Sequence, residues 1–158
     1  MFAKMRRTDR EMTAAEASVL LEKGEYGILS TVGENRWPEG TPLSYAVMEG
    51  QLYFHGAENG VKICNLRYEP RVAFCVVGKT RAVYSDDFTA YYESVVVHGE
   101  AQEVVDPAEK EAALIELCRR YLPAHMDKVE KAMQAAEHTA VWKISMEHIT
   151  GKCNRPMG

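Results

Sequence analysis

The residues best suited to chemistry are concentrated in the stretch Phe54-His55-Gly56-Ala57-Glu58-Asn59-Gly60-Val61-Lys62-Ile63-Cys64-Asn65-Leu66. Ile63 and Leu66 recur at helical spacing before Pro70, which predicts a short helix over 61–68 entered from a strand end through small residues. Free backbone donors and the dipole at such a helix start favour an anion, and Lys62 adds a full positive charge. Gly56, Ala57 and Gly60 let a ligand approach the backbone closely, so the chemistry indicated is phosphate binding. The same spacing also suits an ordinary turn followed by a solvated lysine. His55 adds an imidazole that titrates near neutral pH, fit either for proton donation or for a hydrogen bond that positions the turn.

Other chemistries lack their signatures. There is no G-x-x-x-x-G-K-[ST], G-x-G-x-x-G, G-x-S-x-G or H-E-x-x-H pattern, so the common nucleotide, hydrolase and zinc motifs are missing. His55, His98, His125, His138 and His148 are scattered and not paired with cysteines at ligand spacing, so no metal is expected. Cys64, Cys75, Cys118 and Cys153 form no C-x-x-C pair and read as reduced, structural thiols.

These groups sit in a chain of 158 residues, the length of one ordinary domain, with an N-terminal arm and helix over about 1–24 and a loose tail over about 151–158. Hydrophobic residues make up 46% and charged residues 27%, which suits a folded globular protein. The net charge of −4 opposes docking on a polyanion, so nucleic acid is not an expected partner. The longest apolar runs, such as Val72 to Val77, are far below the roughly 18 residues of a spanning helix, so no membrane partner is expected. Lys4, Arg6, Arg7 and Arg10 are followed by no apolar run of secretory type, so a cytoplasmic location is expected. That basic run is interleaved with Asp9 and Glu11 and reads as a solvated arm, with a phosphate or subunit contact as the alternative for Arg6 or Arg7.

The elements that must position the site follow from local pattern. Thr13-Ala14-Ala15-Glu16 has the capping-box form and opens a helix to about Lys23, with Gly24 suited to a left-handed end. Strands are expected over 26–32, 71–77, 90–105 (kinked at Gly99) and 139–146, with Thr41 to Met48 and Gln51 to His55 as a hairpin turning at Glu49-Gly50. Asp106-Pro107 starts a helix whose Leu114, Leu117, Cys118 and Tyr121 form a stripe that caps the sheet, and a further helix spans about 124–137. The fold class is therefore mainly β with flanking α-helices: a small barrel of six antiparallel strands.

In this order the chain also carries Met5-Arg6-Arg7-Thr8-Asp9-Arg10-Glu11, Gly27-Ile28-Leu29-Ser30-Thr31-Val32, Pro42-Leu43-Ser44-Tyr45, Phe54 to Leu66, Tyr92-Glu93-Ser94-Val95-Val96-Val97-His98-Gly99 and His148-Ile149-Thr150-Gly151-Lys152. Together these pieces resemble the pyridoxamine 5'-phosphate oxidase-like superfamily of FMN-binding split barrels, in particular its Nim-type branch associated with 5-nitroimidazole resistance. The resemblance implies a six-stranded split barrel that forms a homodimer with FMN in two clefts between subunits.

Carried over position by position, the resemblance assigns Lys62 to the FMN phosphate, with Gly56 and Ala57 in the same turn and Asn65 on the phosphate side. Ser44 and Tyr45 would border the isoalloxazine ring, and the backbone of Pro42 and Leu43 would meet its polar edge. His55 would lie near the flavin in a catalytic or structural role. Glu93, Ser94, Thr150, Gly151 and Lys152 would either reach the partner's cofactor or serve as plain strand and tail surface. Trp142 and Tyr92 would shelter the ring or fill the core.

The function implied is an FMN-dependent oxidoreductase that takes electrons from a donor and passes them to a small, nitroaromatic or other acceptor. FAD is the variant cofactor. The alternative is a flavin or haem binder without turnover, used for storage, sensing or haem handling, with His55, His98 or His148 as axial ligand. The tail offers only Lys152 and Arg155 where the better-known oxidase of the superfamily carries arginines for its vitamin substrate, which argues against vitamin B6 oxidation.

Overall fold

A computed structural model describes residues 2–82, 89–136 and 139–155; the Asp86-Asp87 loop, His138 and positions 156–158 lie outside the described residues. Along the chain run α1 (Ala14–Lys23), β1 (Gly27–Val32), β2 (Pro38–Leu43), β3 (Ala46–Met48), β4 (Gln51–Ala57), α2 (Val61–Tyr68), β5 (Arg71–Ala82) and β6 (Ala90–Glu103). They are followed by α3 (Pro107–Tyr121), a 3-10 segment (Pro123–Lys128), α4 (Val129–Ala135), β7 (Thr139–Ser145) and β8 (His148–Asn154). All strand pairs are antiparallel, in the order β2-β1-β5-β6-β7-β4-β3, with β8 also on β6.

The class is as expected, but eight strands form among the described residues where six were expected. The run from Thr41 to Met48 is split because the Tyr121 hydroxyl takes both backbone groups of Tyr45, accepting from its N–H and donating to its carbonyl, each at 3.0 Å. A residue so bonded cannot continue a ladder, so β2 pairs with β1 while β3 turns back on β4. Glu49 and Gly50, with φ of 52° and 72°, make the two-residue turn between β3 and β4.

The expected loose tail is also corrected. Residues 148–154 pair with β6 from Tyr92↔Asn154 to His98↔His148, and Met12 N–H donates to the Gly151 carbonyl at 2.9 Å, so the segment is held from two sides. The helix expected over 124–137 is broken into a 3-10 segment and α4, with His125 off helical geometry at φ −123°, ψ 21°.

The capping box of Thr13 and Glu16 forms as the sequence predicts. Gly24, however, is extended (φ −62°, ψ 138°) and not left-handed; glycine is needed there because a Cβ would overlap Val76 and lie 2.8 Å from the Tyr45 hydroxyl. At Gly99 a Cβ would overlap the Ser145 carbonyl. This close approach marks where β6 passes from pairing with β5 and β8 to pairing with β7. β6 thereby joins two faces that enclose one core, with Leu29, Phe74, Val95 and Val97 opposite Leu52, Phe54, Trp142 and Ile144. A second cluster sits under α3, where Leu114 and Leu117 meet Ala46, Tyr53 and Val141.

Candidate cofactor and acceptor site

β4 ends and α2 begins within four residues, and this junction carries the first group of site residues. Gly60, at φ 122°, occupies backbone space that disfavours a side chain and leaves the start of α2 without a side-chain cap. Lys62 folds back over the strand end: its Nζ lies 5.4 Å from the Phe54 ring centroid, and a Cβ on Gly56 would stand 3.0 Å from that nitrogen. The ammonium is half-buried and forms no ion pair among the described residues. Burial accordingly pulls its pKa below the usual lysine value.

His55 keeps an exposed face, yet the protein packed behind its ring lowers its pKa, and the Lys62 charge lowers it further. The imidazole is therefore held in its neutral form near pH 7, next to a cation with no counterion among the described residues. Ala57 and Gly56 complete the strand end and stay at least partly open. A half-buried cation, an uncapped helix start and a glycine against the ammonium fit the phosphate of a nucleotide cofactor.

His55 and Ser44 open on a cavity of about 360 Å³ between the sheet and the α3 and α4 helices. Its walls are Leu114, Leu117, Cys118 and Met133. Reading the α3 stripe as a cap on the sheet found Leu114, Leu117 and Cys118 but neither Met133 nor the cavity, since the gap depends on where α4 stands, which no periodicity reports. Pro42 is exposed and Leu43 half-buried at the end of β2, leading into Ser44.

Tyr45 is placed elsewhere. Its ring is fully buried, its hydroxyl donates to the Leu21 carbonyl at 2.5 Å, and the Arg120 guanidinium lies 4.4 Å from the ring centroid. Burial raises its pKa to about 12. With its backbone held by Tyr121, Tyr45 has no polar group left to meet a flavin ring.

Asn65 is likewise structural: it is buried, its Nδ2 donates to Thr31 Oγ1 at 3.1 Å, and it packs so tightly on Gly33 that no Cβ fits there. It ties α2 to β1 and does not face an anion. Trp142 is core, while Tyr92 stands on the outer surface of β6.

The second group is divided by strand alternation. Ser94, Thr150 and Lys152 share the outer face with Tyr92, Val96 and His98, in the rows Val77↔Ser94↔Lys152 and Cys75↔Val96↔Thr150. Glu93 and Gly151 point the other way. Glu93 accepts from Lys79 N–H at 3.2 Å and pairs with Arg155 at 3.7 Å, and Gly151 packs on Met12 and Ala17 of the α1 region. The five residues therefore do not line one surface, and none borders the cavity at His55 within the chain.

Along that outer face the N-terminal arm lies down: Arg10 donates to the Tyr92 hydroxyl at 3.5 Å, and Phe2 stacks on His148 with centroids 4.4 Å apart. His98 and His148, distant in sequence, have rings 6.1 Å apart, and His98 Nδ1 is buried without a partner among the described residues. Among the described residues no three metal-ligating groups cluster, all four cysteines are free thiols, and no helix is long and apolar enough to cross a membrane. Arg7 pairs with Asp9 at 2.5 Å, the solvated-arm arrangement.

The family model for pyridoxamine 5'-phosphate oxidase matches residues 13–153. No curated protein matches the chain. Among solved structures, a conserved hypothetical protein of Mycobacterium tuberculosis is similar with a TM-score of 0.82 at 23% identity, over 96% of this chain and 91% of that one. A candidate 5-nitroimidazole antibiotic resistance protein of Bacteroides thetaiotaomicron gives a TM-score of 0.75 at 20% identity, over 90% and 86%. An FAD and haem binding protein of Mycobacterium smegmatis gives 0.76 at 17% identity, over 92% and 74%. At these identities the likeness is one of fold.

Proposed function

The chain belongs to the pyridoxamine 5'-phosphate oxidase family, and from that membership we propose that it is a homodimeric flavin-dependent oxidoreductase passing electrons from a reductant to a small acceptor. The observation that carries this reading is the half-buried Lys62 ammonium, without an ion pair among the described residues, at the uncapped start of α2, one turn of chain from His55.

Lys62 and the first N–H groups of α2 hold the cofactor phosphate, and Gly56 and Ala57 keep the approach clear. Ser44, with the backbone of Pro42 and Leu43, borders the ring. When bound, the flavin supplies the electron or hydride transfer itself. His55, kept neutral for the reasons given above, takes up a proton at its free ring nitrogen and hands it on from there.

The homodimer is supported by the outer face of β1, β5 and β6, where Ile28 and Val77 remain exposed beside Cys75 and Val96. A second copy laid there would bring Ser94, Thr150 and Lys152 toward its cofactor. The acceptor is a nitroaromatic of the 5-nitroimidazole type, a reading supported by the fold shared with the Bacteroides protein. The free cysteines suit a reducing, cytoplasmic setting.

A second reading, a haem or flavin carrier without turnover, is favoured by one observation, the His98 and His148 pair with its unpartnered nitrogen. An absorption spectrum of the purified protein, with mass identification of the released molecule, separates the two. FMN or FAD released, followed by reductant consumption that depends on an added nitroaromatic, supports the oxidoreductase. A Soret band, or flavin without turnover of any nitroaromatic or quinone, supports the carrier.

A further inference from the structure

We propose that the cavity between α3, α4 and the β4 end is the acceptor subsite, and that it takes an uncharged aromatic ring bearing one polar group while refusing phosphorylated or carboxylated molecules. This rests on the oxidoreductase reading for the word acceptor, and on the cavity itself for the rest.

Its volume of about 360 Å³ lies at the small end of the range for ligand sites. Leu114, Leu117, Leu122 and Met133 make the walls apolar, and Ser44, Thr139 and His55 place the polar atoms of its rim. Among the described residues no lysine, arginine or carboxylate lines it. Lys62 is spent outside it, over Phe54. An anion entering the cavity would lose its hydration with no cation to replace it, whereas a neutral ring buries its faces and leaves one polar atom at the His55 end. The family's phosphate-bearing namesake substrate is thus excluded on charge.

The test titrates the FMN-loaded protein, without reductant, with nitrobenzene and in parallel with 4-nitrobenzoate, following the Met133 methyl resonance. Nitrobenzene should shift that methyl saturably and bind about tenfold or more tighter than 4-nitrobenzoate. Two variants that fill the space, Cys118→Phe and Ala136→Phe, provide independent checks should one fail to fold. Each should weaken nitrobenzene about tenfold or more and leave FMN affinity within about threefold. Equal binding of the two probes, no shift at Met133, or unchanged nitrobenzene affinity in both variants overturns the proposal. So does a parallel loss of FMN, which would give the cavity to the cofactor. A protein that takes nitrobenzene in the cavity but no FMN overturns the oxidoreductase and the acceptor role with it. Normal FMN uptake with nitrobenzene excluded overturns the cavity assignment alone.

Discussion

The Lys62 ammonium lies 5.4 Å from the centroid of the Phe54 ring, held over a residue that is itself completely buried. A cation drawn over the strand end in this way is partly desolvated before any ligand arrives, so an anion that meets it gains more than it would from a lysine in open water.

Lys62→Met should therefore weaken FMN binding by about ten- to a hundredfold, the worth of one charge-assisted contact. Because the ammonium has no ion-pair partner to lose among the described residues, the melting temperature should hold or rise. Flavin fluorescence titration and a thermal melt read the two quantities, and unchanged affinity would remove Lys62 from the site.

The same variant should move His55. Burial depresses its pKa first and the Lys62 charge second, so Lys62→Met raises it part of the way back, as an imidazole NMR titration would record. The sign for stability follows: above the ordinary histidine pKa both folded and unfolded forms are neutral and nothing is lost. As pH falls through about 6.5 the unfolded imidazole takes the proton first, and stability declines until the folded one also protonates. His55→Gln should flatten that decline in denaturation midpoints measured between pH 8 and 5.

Arg120 donates to the Gly24 carbonyl at 2.5 Å and stacks over Tyr45. It closes the C-terminal end of α1, where orphan carbonyls need donors. Arg120→Ala should cost about 1–3 kcal/mol in urea denaturation, from a lost charged hydrogen bond and a lost ring contact. A value near zero would mean that water replaces the guanidinium freely.

Gly99→Ala should be far worse than its chemistry suggests. The added methyl meets a backbone carbonyl of β7, which cannot swing aside as a side chain does. We expect a loss above about 3 kcal/mol, beyond ordinary overpacking, seen as a collapse in soluble yield or melting temperature. A well-folded Gly99→Ala protein would show that β6 and β7 can separate at the crossing.

Val77→Asp and Ile28→Asp place charge on the apolar outer face, where Val77 is 52% and Ile28 36% exposed. Light scattering should report a dimer for the parent chain and a monomer for these variants, with flavin released as the interface opens. A variant that stays dimeric would put the interface elsewhere.

Much of this architecture is written in local pattern. The capping box of Thr13, the Pro107 helix start and the Glu49-Gly50 turn each satisfy their own backbone groups, so they can be read without the rest of the fold. The start of α2 is legible on other grounds, from Gly60 ahead of Ile63 and Leu66 at helical spacing. What local pattern omits is set by partners far away in the chain. Tyr45 reads as a strand residue until Tyr121, 76 positions on, takes its backbone. Asn65 reads as a polar helix residue until Thr31 and Gly33 close on it. Glu93 and Ser94 read as one motif, although neighbouring strand residues must face apart.

The pairing of β4 with β7, from Gln51↔Ser145 to Ala57↔Thr139, has a consequence for how the molecule is made. As the chain emerges from the ribosome, the β3 and β4 hairpin is available early, yet the strand that covers its edge arrives more than eighty residues later. Until then the row of donors and acceptors on β4, with Phe54 and Leu52 beside it, stands open to any extended segment that drifts past. The order of synthesis thus leaves the strand that bears His55 with an open, adhesive edge until β7 has been made.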